Sequence, residues 1–264
     1  SSPITRLTDT LSASLYFFTT MHAMIFAAGL GTRLRPLTDT MPKAMVPVAG
    51  KPLLRHVIDK VRSAGIERIV VNVHHMAEQI VDYLKAESGV AVSDETDLLR
   101  ETGGALRHAA PLLKGAGRVL VHNVDILSNI DLRALMREAE GTDALLLVSR
   151  RDTQRYLLFD DDMRLVGWTN IKTGEMKSPH ADLDVERCHR YAFAGIHVIS
   201  ETLIDEMASW DERFSIIDFY LAKCADHRIH GFLAPDLRLL DVGKIDTLAE
   251  AEKFVKEIPL TPVK

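Results

Sequence analysis

Ala27-Ala28-Gly29-Leu30-Gly31-Thr32-Arg33-Leu34-Arg35-Pro36-Leu37-Thr38 is the stretch whose reading decides the fold. It follows directly on an apolar run, Ala23 to Ala28, that has the look of a buried strand. Two glycines therefore stand at the carboxyl end of a strand, where open α/β sheets bind ligands. Glycine lets the backbone approach a phosphate chain closely, and successive N–H groups can form an anion nest. A dinucleotide fingerprint requires a third glycine where Leu34 stands and then a helix, whereas this chain runs into Pro36. A P-loop requires Gly-Lys-Ser/Thr, which does not occur here. A loop for a nucleoside triphosphate survives both comparisons.

The surroundings of the loop are cationic in an acidic chain. Between Gly31 and Arg55 stand Arg33, Arg35, Lys43, Lys51 and Arg55 against Asp39 alone, while the 264 residues together carry a formal charge of −5. A solvated charged face would interleave both signs. Arginine offers forked donors and lysine a point charge, the two usual ways of holding phosphate oxygens. The net charge gives no general attraction to nucleic acid or to an anionic membrane, so any polyanion site has to be local. No apolar run reaches the roughly 18 residues of a membrane span. Cys188 and Cys224 match no metal spacing and read as reduced core thiols of a cytoplasmic protein. His74 and His75 are neighbours, which on a strand face opposite ways, and read as structural or peripheral.

Outward from the loop, apolar runs alternate with amphipathic stretches, the signature of stacked β-α units around a mixed, mostly parallel sheet flanked by helices. Pro52 opens a helix on Leu53, Leu54, Val57, Ile58 and Val61, which Gly65 ends. A buried strand at Arg68 to Val73, a helix from about Met76 to Ala86 and a brief strand near Val90 follow. Arg118 to His122 and Ala144 to Ser149 read as strands on either side of a helix capped by Asp131. Helices at Thr202 to Ala208 and Ile216 to Ala225, strands at Ile229 and Leu237, and a helix from Leu248 to Ile258 complete the series. Residues 21–264 are thus expected to form one α/β domain. Within it, 151–198 has β-like pieces broken at Asp160-Asp161-Asp162 and Thr173-Gly174, and reads as a lid or edge part. Residues 1–20 are set apart as a leader of uncertain role, without the long apolar region and cleavage site of a secretory signal.

Phosphoryl-type transfer needs positioning and charge neutralisation more than covalent chemistry, and a divalent metal supplies part of both. Mg²⁺ takes one or two carboxylates plus phosphate oxygens and water. Two acids stand at the ends of buried runs: Asp125 after Val119 to Val124, and Asp241 after Leu237 to Leu240. Either one alone reads as readily as a cap or turn residue. Leu98 to Leu106 is a second strand-to-helix glycine segment, with Thr102 near the helix cap.

The run Gly29 to Thr38, then Pro42-Lys43 and Pro47-Val48-Ala49-Gly50-Lys51-Pro52, resembles the signature of the sugar-1-phosphate nucleotidyltransferase family. The likeness extends over nearly all of residues 22–258. It implies a single Rossmann-like (GT-A-like) domain without the C-terminal β-helix of longer members. It also implies a Mg²⁺-dependent enzyme that joins an NTP and a sugar 1-phosphate into an NDP-sugar and pyrophosphate. The resemblance assigns Arg33 and Lys43 to the triphosphate and its leaving pyrophosphate, as the catalytic cations. It assigns Ala28, Gly29, Gly31, Thr32, Glu101, Gly103 and Asn123 to the nucleotide, and Asp125 and Asp241 to the metal. Asn123-Val124-Asp125 resembles the family's Asn-Gly-Asp with Val124 in place of glycine, and Asp241-Val242-Gly243 resembles its Asp-Val-Gly. Glu101 would accept from a base N–H, which guanine and uracil both offer.

The sugar side departs from the family pattern. Where longer relatives carry Glu-Lys-Pro, with its lysine on the sugar phosphate, this chain has Gly167-Trp168-Thr169-Asn170. Asn170 and Lys172 remain as candidates for the sugar phosphate, and Trp168 as a sugar-stacking residue or else a core or lid aromatic. The resemblance further points to Gly195 as the glycine over which the sugar lies and to Asp218 as a sugar-hydroxyl partner. It makes 151–198 the lid and sugar-binding part. Among short members the likeness favours those joining UTP to N-acetylmuramate 1-phosphate, with mannose- and heptose-1-phosphate guanylyltransferases as the alternative. A non-catalytic nucleotide-sugar-sensing subunit of the same fold would have lost Arg33, Lys43, Asp125 or Asp241, and all four are here. The expected partners are an NTP and a sugar 1-phosphate, with no nucleic acid and no membrane, in a monomer or homo-oligomer.

Overall fold

The structure, a computed structural model, describes residues 21–258; the leader expected at 1–20 lies outside the described residues. The apolar run at the start becomes β1 (His22–Phe26), followed by three short 3-10 turns at Thr32–Leu34, Leu37–Asp39 and Lys43–Met45. Then come β2 (Pro47–Val48), β3 (Lys51–Pro52), α1 (Leu53–Ser63), β4 (Arg68–Val73), α2 (Ala77–Leu84) and β5 (Val90–Asp94). The middle of the chain forms α3 (Glu101–Ala109), β6 (Arg118–Asn123), β7 (Ile126–Ser128), α4 (Leu132–Glu138) and β8 (Ala144–Ser149). After them come β9 (Arg155–Phe159), β10 (Leu165–Asn170), β11 (Glu175–Lys177) and β12 (His189–Ser200). The last elements are α5 (Glu201–Asp205), α6 (Ile216–Lys223), β13 (Ile229–Leu233), β14 (Leu239–Asp241) and α7 (Leu248–Glu257).

Helical crossovers bring β5, β4, β1 and β6 side by side in parallel, so their carboxyl ends share one edge. β12 then runs antiparallel between β6 and β8, and β13 adds to β8 in parallel. The result is the expected single α/β domain with a mixed sheet and helices on both faces. Alternation along the strands divides the interior in two. Ala23 and Ile25 of β1 face the α1 and α7 side with Leu54, Ile58 and Phe254, while Met24 faces the α3 and α6 side with Leu106, Phe219 and Tyr220. Burial on both faces explains why these strands are nearly continuous apolar runs.

The local signals act as their chemistry requires. Asp131 accepts from the N–H groups of Arg133 and Ala134 at 2.9 and 3.2 Å, capping α4. Gly65 ends the α1 region at φ 91°. The helix expected from Thr202 is shorter, α5 plus a 3-10 turn at Glu206–Ser209, and the strand expected at Leu237 is confined to Leu239–Asp241, so Asp241 ends it instead of following it. Residues 151–198 extend the sheet as β9, β10, β11 and the first half of β12, all antiparallel. Cys224 is buried, but Cys188 is only half-buried, so the core-thiol reading holds for one of the two. Among the described residues no helix is long and apolar enough to cross a membrane.

Candidate active site

A cleft of about 270 Å³ opens along the carboxyl edge of β5, β4, β1 and β6. Its wall includes Phe26, Ala28 and Gly29 from the end of β1, Asn72 from β4, Glu101 and Thr102 from the start of α3, and Asn123 and Asp125 after β6. A β-carbon on Gly29 would meet nothing within 4 Å, so this backbone presents an open cradle to the cleft. Gly31 serves differently. It sits at φ 64°, and a β-carbon there would stand 2.9 Å from Thr38 Cγ2 and 3.0 Å from Lys43 Cβ. Thr38 Oγ1 donates to the Gly31 carbonyl at 2.7 Å, which folds the loop back on itself and brings Thr32 to the start of its 3-10 turn.

The two sequence-distant acids meet here. β7 and β14 pair antiparallel, Asp241 opposite Ile126, and the Val242 N–H donates to the Asp125 carbonyl at 2.8 Å. Lys43 Nζ forms an ion pair with Asp125 Oδ2, both side chains being mostly shielded from water. Gly243 leaves the space in which Arg33 and Asp241 approach each other. A β-carbon at that position would stand 2.8 Å from Asp241 Oδ1 and 2.9 Å from an Arg33 guanidinium nitrogen. Burial pushes the Asp241 carboxyl above its usual range, as does the neighbouring Asp125, while Lys43, Arg33 and Arg151 oppose the shift.

Of the five cations between Gly31 and Arg55, only Arg33 and Lys43 reach these acids. Arg35 pairs with Asp39, Lys51 with Asp59, and Arg55 with Asp59 and Glu87. The local patch suggested by the sequence is therefore two cations beside the acids, two paired with Asp59 of α1 and one paired within its own exposed loop. The donor set fits a hard divalent ion. Two carboxylates converge, and Asp241 Oδ1 is buried without a hydrogen-bond partner among the described residues. Mg²⁺ uses such a pair and fills its remaining positions with phosphate oxygens and water.

Other expected residues are brought less directly to the cleft. Glu101 is on its wall, but Arg213 Nε donates to its carboxylate at 3.0 Å. The Gly103 N–H donates to the Phe214 carbonyl at 2.9 Å, and a β-carbon would meet the Phe214 ring at 2.3 Å, so this glycine packs α3 against the segment before α6. Gly195, at φ 76°, lies beside Asn123, whose Nδ2 would be 2.7 Å from a β-carbon there. Asn170 caps a turn, accepting from the N–H groups of Lys172 and Thr173, and Lys172 stands exposed in that turn. Asp218 accepts from Lys177 Nζ at 3.2 Å, and the same ammonium lies 5.1 Å from the Trp168 ring centroid.

Sequence reasoning missed Asn72, Glu95 and Arg151. Asn72 Oδ1 accepts from the Ala27 N–H at 2.7 Å, fixing the first peptide of the glycine loop, and Asn72 Nδ2 donates to Glu95 at 3.4 Å. Glu95 is fully buried, and its carboxyl is pushed up by that burial against the pull of Asn72 and Arg100. The available signal was Asn72 itself, an amide inside an otherwise apolar strand. Arg151, whose charge bears on the Asp241 carboxyl, had none, because ninety positions separate the two in the chain.

Comparison with known proteins follows the same lines. The family described as nucleotidyl transferase matches residues 22–258. An N-acetylmuramate alpha-1-phosphate uridylyltransferase of Caulobacter vibrioides is 32% identical over 251 residues, covering 89% of this chain and 97% of that protein. A protein of the same name from Neisseria meningitidis is 43% identical over 125 residues, 46% of this chain and 54% of its own length. Among solved structures, a putative glucose-1-phosphate thymidylyltransferase from Bacillus anthracis superposes with a TM-score of 0.75 at 19% identity, covering 90% of this chain and 96% of that one. HddC from Yersinia pseudotuberculosis, solved with GMP-PN, gives 0.70 at 21% identity, covering 88% and 98%. At these identities the two structures speak for the fold.

Proposed function

The chain belongs to the nucleotidyl transferase family and is an enzyme of sugar-1-phosphate nucleotidyl transfer, and on that premise we propose that it joins UTP to N-acetylmuramate 1-phosphate with Mg²⁺, giving UDP-N-acetylmuramate and pyrophosphate. The observation that carries this reading is the convergence of Lys43, Arg33, Asp125 and Asp241 beside the open backbone of Gly29. The choice of UTP and N-acetylmuramate rests on the Caulobacter relative, which is similar over nearly its whole length.

In the reaction a phosphate oxygen of the sugar 1-phosphate forms a bond to the α-phosphorus of the NTP. The bond from that phosphorus to the bridging oxygen breaks, and pyrophosphate leaves with the electron pair. No protein nucleophile is required. The Gly29 backbone lets the phosphate chain lie against the loop, with Ala28 and Thr32 on either side. Arg33 and Lys43 hold the β- and γ-phosphates and stabilise the charge that grows on the leaving pyrophosphate. Triphosphate oxygens offer the Lys43 ammonium more acceptors than Asp125 alone, and Asp125 and Asp241 are then the metal-holding carboxylates. When bound, Mg²⁺ neutralises phosphate charge and orients the two substrates. Asn123 stands at the nucleotide sugar, and Gly195 at the acceptor sugar.

Pyrophosphate release is the test, with UTP, GTP, CTP, ATP and dTTP crossed against N-acetylmuramate, N-acetylglucosamine, glucose, mannose and heptose 1-phosphates. Fastest turnover with UTP and N-acetylmuramate 1-phosphate is expected. A guanylyl pair in its stead overturns the substrate assignment, and silence across the panel overturns the catalytic reading.

A further inference from the structure

We infer that a cavity between α1, β7 and the end of α7 binds a small organic anion, with its carboxylate or phosphate head on the Lys60 ammonium and its apolar body against Phe254. The site is separate from the nucleotide cleft, and the inference goes beyond nucleotidyl transfer.

The cavity holds about 220 Å³ and shares no lining residue with the cleft. Three packed elements form its wall: α1 with Val57 and Lys60, β7 with Leu127 and Ser128, and α7 with Phe254. The surface these residues offer is mostly apolar. Its volume lies below the roughly 300–1,000 Å³ of pockets for drug-sized ligands, so the occupant is a small molecule.

Charge is distributed unevenly around this hollow. Lys51, Lys60 and Lys256 line it, and among the described residues no carboxylate does. Lys51 lies 4.0 Å from Asp59, and Lys256 is exposed without an ion pair among the described residues. Lys60 Nζ donates to the Ser128 carbonyl at 3.0 Å, its one hydrogen bond among the described residues. An ammonium has three donors, so two are left. A cation drawn out of water is normally paired with an acid. Lys60 has no such contact, and Asp131 only partly offsets the burial that lowers its ammonium to about 8. On the same wall Ser128 Oγ is buried without a hydrogen-bond partner among the described residues. His56 is already engaged, its Nε2 donating to the Val48 carbonyl at 2.7 Å. Two unspent donor groups in an apolar hollow call for an acceptor, and three lysines without an acid select a negatively charged one.

Calorimetric titration of the full chain tests this with phenylacetate, phenyl phosphate and the neutral 2-phenylethanol, each with and without saturating UTP. At least one of the two anions should bind at a single site with an affinity of about 1 mM or tighter, and the tighter of them identifies the head group. Lys60→Met should weaken that anion about tenfold to a hundredfold, the scale of a hydrogen bond to a charged group. Its melting temperature should be equal or higher, because an unpaired, partly buried cation gives way to an apolar chain. Lys256→Gln should weaken binding about twofold to fivefold, the scale of an exposed charge. UTP should leave the affinity unchanged, since the two hollows are separate. No saturable binding of either anion, equal binding of 2-phenylethanol, displacement by UTP, or unchanged affinity in Lys60→Met each overturns the site. Should Lys60→Met fail to fold, Lys256→Gln decides, and unchanged affinity there overturns it as well. Pyrophosphate release has no part in the readout, so failure of the catalytic reading and failure of this site are seen separately.

Discussion

At the scale of single residues, the cleft holds its two carboxylates together at a cost to the fold. Asp241 is half-buried, lies near Asp125 and has one buried oxygen without a hydrogen-bond partner among the described residues, and its carboxyl is raised by that burial and by repulsion. Replacing it by asparagine removes a like charge from a shielded site. Asp241→Asn is therefore expected to melt at the same temperature or higher while its turnover falls by about 10²–10³ or more, since an electrostatic element of the transition state is lost. Scanning calorimetry and pyrophosphate release on one preparation check both halves, and a folded variant with wild-type turnover removes Asp241 from the mechanism. The loop glycines separate binding from stability in the same way. Gly29→Ala adds a methyl into open space and is expected to raise KM for the NTP with little change in melting. Gly31→Ala must sit at φ 64° against Thr38 and is expected to destabilise by about 1–3 kcal/mol, read by urea unfolding.

At the scale of elements, the site depends on how α3 docks against the start of α6. The Gly103 and Gly104 N–H groups both donate to the Phe214 carbonyl, and Thr102 Oγ1 accepts from the Ile216 N–H at 2.9 Å. Gly104 comes equally close, since a β-carbon there would stand 2.2 Å from the Glu212 carbonyl oxygen. Gly103→Ala would drive a methyl into the Phe214 ring and is expected to cost about 1–3 kcal/mol or more of stability, the range for overpacking a tight contact. It should raise KM for the NTP as well, because Glu101 and Thr102 would shift with the helix. Unchanged unfolding in urea would show that the two segments separate freely. The Glu-Thr-Gly-Gly run was visible in sequence as a helix start. Its second purpose, bringing α6 to the cleft, was not, because Phe214 lies more than a hundred positions away.

For the whole molecule, the two-faced sheet requires histidines to be buried neutral. His122 on β6 and His197 on β12 are shielded on both faces. Burial lowers His122 to about 4, partly offset by the Asn123 carbonyl, and lowers His197 to about 3. Both folded values lie below the unfolded value near 6.5. Their stabilising effect is therefore complete above pH 6.5 and lost as pH falls from there toward 4 and 3, by on the order of 3–5 kcal/mol for each residue at the acid limit. The unfolding free energy should decline below pH 6.5, and less steeply in His122→Leu; equal slopes would show that His122 takes no part. What the sequence by itself determined was every signal confined to neighbours in the chain. Glycines after a buried run, caps such as Asp131, and apolar periods set the strands, the helices and the glycine loop, because those preferences act over a few residues. The motif also named Arg33, Lys43, Asp125 and Asp241 before any fold was in view. Only the tertiary structure decided that Lys43 meets Asp125, that Asn72 steadies the loop, and that three of five clustered cations turn elsewhere. Those outcomes depend on strand order and register, which bring together residues whose separation in the chain carries no trace of their contact.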